Sequence, residues 1–244
     1  MSKSKWISSM SSLTANELFE GELKVVGRLV DASNATLYAE IVRGTTTDEN
    51  PKVIYKPIAG ERPLWDFPEG TLANREYAAY LLSKEAGFDL VPKTVLRDGP
   101  FGKGMVQEWI DTDEETDVVS FGQSDDSSLR KMALFDAIIN NTDRKFGHLL
   151  ITKGKQVFGC DHGVTFHEED KLRTVLWQFA GEKFNQTEIQ LLKASLQVVS
   201  SPEFLELLSE REVAATKMRI NSLLSLNEFP LPNPNWPAVP WPPV

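Results

Sequence analysis

Between Ser127 and Gly163 the chain runs through a helical stretch, an acidic loop, a short hairpin and a second acidic turn ending in glycine. That order limits what the chain can fold into more than any other feature. Leu129, Met132, Leu134, Phe135, Ile138 and Ile139 recur with helical periodicity. Asn140-Asn141-Thr142-Asp143 breaks the helix, Leu149–Thr152 and Gln156–Gly159 flank a Lys153-Gly154-Lys155 turn, and Asp161-His162-Gly163 follows, eighteen residues beyond Asp143. The chain's three histidines, His148, His162 and His167, fall in this window with Asp143, Arg144, Lys145 and Asp161. Clustering alone fits a polar hairpin with incidental titratable groups as well as it fits a site. Spacing separates the two.

The first 110 residues read as strands around one helix. Residues 1–19 form a polar, Ser-rich arm that ends in a short acidic segment capped by Thr14. Glu22–Val30 and Leu37–Val42 partly alternate apolar and polar residues, with Asp31–Thr36 as the hairpin loop between them. Lys52–Pro57 is a third strand, stopped by Pro57 and Gly60. Thr71 is the expected cap of a helix reaching about Ala86, with Gly87 as its stop. Val91–Leu96 and Gly104–Ile110 are two further strands around a turn at Asp98–Gly102. Asp111–Asp117, rich in Asp and Glu, is either a lobe boundary or a solvated loop, and Thr187–Leu226 is helix-like with a break at Ser201-Pro202. In the tail, Phe229–Val244, repeated proline fixes φ and removes amide donors, so this stretch is extended; Trp236 and Trp241 either dock on the body or belong to a strip for a Pro-binding module. The expected organisation is therefore an arm (1–19), a sheet lobe (20–110), a helical lobe (111–228) and a tail (229–244).

Composition removes several classes of function. A net charge of −9 works against gripping nucleic acid or an anionic membrane surface. One cysteine, Cys160, permits neither an intrachain disulfide nor a cysteine-based zinc site. No stretch approaches the roughly 20 apolar residues of a membrane span, and the Ser-rich start lacks an apolar signal core. Cytoplasmic residence and no stable membrane association are the resulting expectations.

Helix, acidic loop, hairpin, second Asp and Gly is the order of a kinase catalytic loop followed by its metal loop. Phosphoryl transfer asks little covalent chemistry of a protein. It needs a carboxylate to orient and deprotonate an acceptor hydroxyl, and metal ligands to neutralise a triphosphate. Asp143 suits the first task and Asp161 the second.

With Asp143-Arg144-Lys145-Phe146-Gly147-His148 and Asp161-His162-Gly163, the chain resembles the phosphatidylinositol 3/4-kinase-like superfamily, in particular a small actinobacterial branch. That superfamily's lipid kinases carry Asp-Arg-His-x-x-Asn and Asp-Phe-Gly at these places. The resemblance spans about residues 20–225. It implies an α+β, two-lobed, protein-kinase-like fold: an antiparallel sheet with one helix, then a mostly helical lobe carrying a short β-hairpin. It implies ATP with Mg²⁺ or Mn²⁺ as cofactors.

The remaining parts of such a site have candidates in order. Lys56 lies on a strand as the phosphate-reaching lysine, and Glu76 on the next helix as the carboxylate that holds it; the plain readings are a snorkelling edge lysine and a solvated helix face. Ser33 and Asn34 sit in the loop where phosphates would be covered. Gln107, Glu108, Trp109 and Ile110 form the expected hinge against the adenine edge, Trp109 being either a pocket wall or core. His148 stands at the usual metal-binding Asn, where a neutral imidazole suits transition metals better than an amide oxygen does. It either ligates the metal, contacts phosphate or marks a lost activity. His162 replaces a packing Phe. Segment His167–Arg173 has more acids than bases, so a polyanionic lipid head group is a poor fit and the acceptor is expected to be a protein hydroxyl or a small-molecule alcohol. Two other readings stand beside transfer of the γ-phosphate: a nucleotide-binding pseudokinase with a regulatory role, and transfer of AMP.

Overall fold

The structure is a computed structural model describing residues 13–29, 35–44 and 49–244. Ser33 and Asn34, and most of the expected arm, lie outside the described residues. Helix α1 (Ala15–Glu20) starts at a capping box in which the Thr14 side chain accepts from the Glu17 amide while Glu17 reaches back to Thr14. Leu13 and Leu18 are 2% and 0% exposed and sit in the core beneath the first sheet. The last part of the expected arm is thus core: Leu18 contributes apolar burial that the flanking polar residues conceal in the sequence.

β1 (Glu22–Arg28), β2 (Leu37–Val42), β3 (Lys52–Pro57), β4 (Thr94–Gly99) and β5 (Gly102–Glu108) form one antiparallel sheet in the order β1-β2-β3-β5-β4. Alternation assigns its two faces. Val53 and Tyr55 point into the core with Ala39, Ile41 and Val106, which leaves Ile54 and Lys56 on the opposite, half-buried face. β4 begins at Thr94 instead of Val91, since Pro92 has no amide to give the ladder. β5 ends at Glu108, and a tight Pro100-Phe101 turn with Gly102 at φ 92° closes the hairpin. Gly104 is required where it stands, because a Cβ there would lie 2.4 Å from the Lys56 carbonyl oxygen on the neighbouring strand.

Helix α2 (Leu72–Glu85) departs from expectation at its start. Thr71 has helical φ/ψ and its hydroxyl donates to the Pro68 carbonyl; the Leu72 and Ala73 amides are instead capped by the Glu61 carboxylate at 3.2 and 2.9 Å. α2 is buried on nearly every side, with Ala78, Ala79, Leu81 and Leu82 in the core of the helical lobe. Its buried Arg75 donates to the Thr165 carbonyl at 2.7 Å and pairs with Glu212.

The helical lobe contains α3 (Val118–Gly122), α4 (Ser127–Ile139), the hairpin β6 (Leu149–Ile151) with β7 (Val157–Gly159), α5 (Gln186–Val198), α6 (Pro202–Leu205) and α7 (Glu210–Leu226). α3, capped by Asp117, was not legible in the sequence. α6 starts where Ser201 caps and Pro202 occupies the first turn. The fold is α+β: an antiparallel sheet lobe joined to a helical one, with α4 ending directly at the acidic loop.

Candidate active site

Asn140 ends α4 in the left-handed region (φ 51°), its amide returning to the Asp136 carbonyl while its side chain donates to the carbonyls of His167 and Glu169. The turn that follows is built on Arg144. This guanidinium is fully buried and donates to both Asp136 carboxylate oxygens at 3.0–3.2 Å, to the Cys160 carbonyl at 3.1 Å and to His162 Nε2 at 2.7 Å. It ties the helix, the Asp143 loop and the Asp161 turn to one another. His162 accepts through Nε2, so its proton sits on Nδ1, and burial holds its pKa well below the usual histidine range. The ring also meets Phe135 edge-on at 5.8 Å. A phenylalanine would pack here but would leave the Arg144 donor unanswered, so the substitution read as mere packing carries a polar task.

With the turn fixed, Asp161 takes a left-handed backbone (φ 58°), a conformation that non-glycine residues adopt mainly where surroundings impose it. Its carboxylate meets Lys56 Nζ across the cleft, and the same ammonium donates to Glu76 Oε1 at 2.7 Å. Glu76 is 3% exposed and its other oxygen accepts from the His162 amide at 2.9 Å. Lys56 next to it, aided by His148 and His162, holds the Asp161 carboxyl far below the ordinary carboxylate range against the opposing effect of burial. Lys56 itself is pushed up: burial opposes its charge, but Asp161 and Glu76 outweigh that.

His148 Nε2 lies 3.5 Å from Asp161 Oδ2. Burial lowers its pKa to about 4, so the ring is neutral and keeps a lone pair. Its Nδ1 is buried and has no partner among the described residues, unlike most metal-bound histidines, whose second nitrogen is hydrogen-bonded. No group of three or more metal-ligating side chains occurs among the described residues. His148 and Asp161 therefore offer two donors, which fits an ion that takes its remaining ligands from phosphate oxygens and water.

Asp143 receives its own loop's support through the Asn141 side chain, which accepts from the Asp143 amide at 3.0 Å. Lys145 Nζ and Arg173 Nη2 stand 3.8 and 3.5 Å from its carboxylate. Burial nonetheless pushes its pKa above the ordinary value, with Asp161 adding to the effect. Asp143, Lys56, Glu76, His148 and Asp161 all line one cavity of about 640 Å3.

The residues of the expected hinge stand apart from this cavity. Gln107, Glu108, Trp109 and Ile110 do not line that cavity. Gln107 is buried and donates to Thr94, Glu108 faces Lys93 at 3.6 Å, and Trp109 packs edge-on against Tyr38 with rings 5.5 Å apart. His167 is likewise occupied, between the Asp66 carbonyl and the Glu169 amide. The acids Glu168, Glu169 and Asp170 are exposed, whereas Lys171 is buried against Asp66 and Arg173 turns to Asp143. Arg144, Asp136, Arg173 and Trp236, which also lines the cavity, are not among the site residues expected from the sequence.

Solved structures share the overall fold of this chain. A Golgi casein kinase with Mn and ADP bound superposes with a TM-score of 0.56 at 14% identity, covering 87% of this chain and 74% of that one. Hydra Fam20, solved with sugar, superposes with a TM-score of 0.51 at 12% identity, over 87% and 86% of the two chains. The fold is kinase-like. No known family model matches the chain. Protein Rv2133c of Mycobacterium tuberculosis is 40% identical over 264 aligned residues, which span 92% of this chain and 93% of that protein. The chain belongs to the family that includes Protein Rv2133c.

Proposed function

We propose that this protein moves the γ-phosphate of Mg- or Mn-bound ATP to a hydroxyl. The observation that carries the reading is the single ammonium of Lys56 held between Glu76 and Asp161, with Asp143 on the same cavity. Lys56 would meet the phosphates and Glu76 would keep it aimed. Asp161 and His148 would hold the divalent ion, whose chemistry when bound is to neutralise charge on the phosphate oxygens. Asp143, raised by burial, would accept the proton of the attacking hydroxyl. Arg144 and Asp136 would act only by fixing the two loops. The adenine would extend toward Trp109 and Ile110, beyond the cavity; among the described residues Ile110 makes no backbone hydrogen bond, which leaves its amide and carbonyl for a base edge.

On the motifs at Asp143-Arg144 and Asp161-His162-Gly163 we also read the chain as a member of the phosphatidylinositol 3/4-kinase-like superfamily. Its lobes would be residues 20–110 and 111–228. No described helix is long and apolar enough to cross a membrane, and we take the cytoplasm as its place of action.

The test pairs binding with transfer. Asp143→Ala is expected to keep thermal stabilisation by Mn-ATP and to lose phosphate transfer, while Lys56→Met loses both. A wild-type chain that binds Mn-ATP but consumes none would favour a nucleotide-binding regulator instead. A mass gain of one adenylyl group on the acceptor would replace phosphate transfer by AMP transfer.

A further inference from the structure

The tail is fixed to the catalytic face, and the way it is fixed follows from its composition. Proline offers a carbonyl but no amide, so a proline-rich strand can only accept backbone hydrogen bonds at those positions. The body supplies the donors. The Thr174 amide and the Trp177 indole N–H both donate to the Ala238 carbonyl, at 3.0 and 2.8 Å. The Phe146 amide, three residues after Asp143, donates to the Pro243 carbonyl at 2.8 Å. The tail therefore runs along the segment after Asp161 and ends against the Asp143 loop.

Just ahead of these attachments, Trp236 enters the wall of the cavity that contains Asp143 and Arg173. Opposite it the connection from β3 to α2 contributes Leu64, Trp65 and Asp66 to the same cavity. Lys171 joins the two sides. Its ammonium lies 5.3 Å from the Trp236 ring centre and 4.7 Å from that of Trp65, and pairs with Asp66 at 2.9 Å. The buried Lys171 ammonium thus links the tail to this connection through two indole rings and a carboxylate, Trp65 itself standing 85% exposed at the rim.

We propose that this enclosure makes Trp236 a specificity-determining wall of the acceptor subsite, and that the acceptor is a small-molecule alcohol instead of a protein side chain. The proposal rests on the phosphotransfer reading and deepens it. The Thr174 amide is already bonded to the tail, so a polypeptide laid along the segment after Asp161 would have to displace the tail. The phosphates of ATP and the acceptor hydroxyl would meet in this one cavity of about 640 Å3, which leaves room beside the triphosphate for a small alcohol. An alcohol entering between Trp236 and Arg173 would reach Asp143 with a ring face beside it.

The full-length chain decides this with radiolabelled Mn-ATP. One arm offers a panel of sugars, polyols, nucleosides and amino alcohols plus a protein-free metabolite extract; the other offers dephosphorylated casein and a degenerate Ser/Thr peptide mixture. Label is expected in the small-molecule arm alone. For the labelled alcohol, Trp236→Ala should raise the acceptor KM at least tenfold while the KM for ATP and the thermal shift by Mn-ATP stay unchanged, and Trp236→Phe should restore most of the loss. Should Trp236→Ala be too unstable to assay, Trp236→Leu keeps the bulk without the ring and supplies the same comparison. Label confined to casein or peptides, an acceptor KM unmoved by the substitution, or an ATP KM that rises as much as the acceptor KM would each overturn the proposal alone. A wild-type chain that is stabilised by Mn-ATP yet labels nothing would overturn the phosphotransfer reading and this proposal together.

Discussion

Arg144 and Asp136 face each other with neither side chain exposed to solvent, and the same guanidinium reaches the Cys160 carbonyl and the His162 ring. Removing one partner of such a pair leaves an uncompensated buried charge. Asp136→Ala is therefore expected to cost about 3–5 kcal/mol of folding stability. The double variant Asp136→Leu with Arg144→Met replaces the pair by apolar bulk and should lose much less. Urea denaturation curves check this. A loss of under about 1 kcal/mol for Asp136→Ala would show that the network does not hold these loops.

Glu76 does two things at once: it accepts from Lys56 Nζ and from the His162 amide. Glu76→Ala leaves Lys56 with Asp161 alone, so the ammonium would settle on the carboxylate proposed to hold the metal. Affinity for Mn-ATP should fall about 10- to 100-fold, the range seen when groups supporting a metal ligand are removed. Calorimetric titration of the variant measures it. An unchanged affinity would mean that the Lys56 position does not depend on Glu76.

In the metal-free protein His148 supplies a pH dependence whose sign is fixed by its depressed pKa. Folded, it stays neutral down to about pH 4 because of burial; unfolded, it takes a proton near pH 6.5. Between those values the unfolded chain binds the extra proton, so this contribution is complete above about pH 6.5 and lost as pH falls toward 4. Its size is on the order of 3 kcal/mol. His162, also depressed by burial, acts in the same direction. Denaturation in chelator at pH 7 and pH 5 should show wild type losing clearly more stability than His148→Gln. Equal losses would refute the burial argument for His148.

What could be read from the chain was what local order encodes. Lys56, Glu76, Asp143 and Asp161 each sit on the strand, helix or loop that the apolar pattern had marked, and the structure brings all four to one cavity. What could not be read depends on partners distant in sequence. Arg144 gives no local sign that it is buried, because its acceptors come from Asp136, Cys160 and His162. Trp236 reaches the cavity on a tail that Thr174, Trp177 and Phe146 hold from far earlier in the chain. Counting charges between His167 and Arg173 missed that the acids there are exposed while Lys171 and Arg173 turn inward. The arm was misjudged near Leu18 because two apolar residues can enter a core from a polar surround. α2 was assigned as a sheet-lobe helix, yet its buried apolar residues belong to the helical lobe's core.

The start of α2 offers a test in which sequence and structure disagree. The sequence names Thr71 as the cap, but in the structure the Glu61 carboxylate accepts from the Leu72 and Ala73 amides while the Thr71 hydroxyl donates to the Pro68 carbonyl. A carboxylate at a helix N-terminus satisfies orphan donors and meets the positive end of the helix dipole. Glu61→Ala should thus cost about 1 kcal/mol, and Thr71→Ala clearly less, since the Thr71 hydroxyl accepts from no helix amide and only at 3.4 Å from the Arg75 side chain. Glu61→Gln keeps an acceptor oxygen but loses the charge, and should fall between them. The effect reaches the site as well, because α2 carries Glu76 and Glu61 lines the same cavity: Glu61→Ala should weaken Mn-ATP binding, whereas Thr71→Ala should not. If Thr71→Ala proved the more damaging on both measures, the helix would be capped as the sequence suggests and the contact from Glu61 would be incidental.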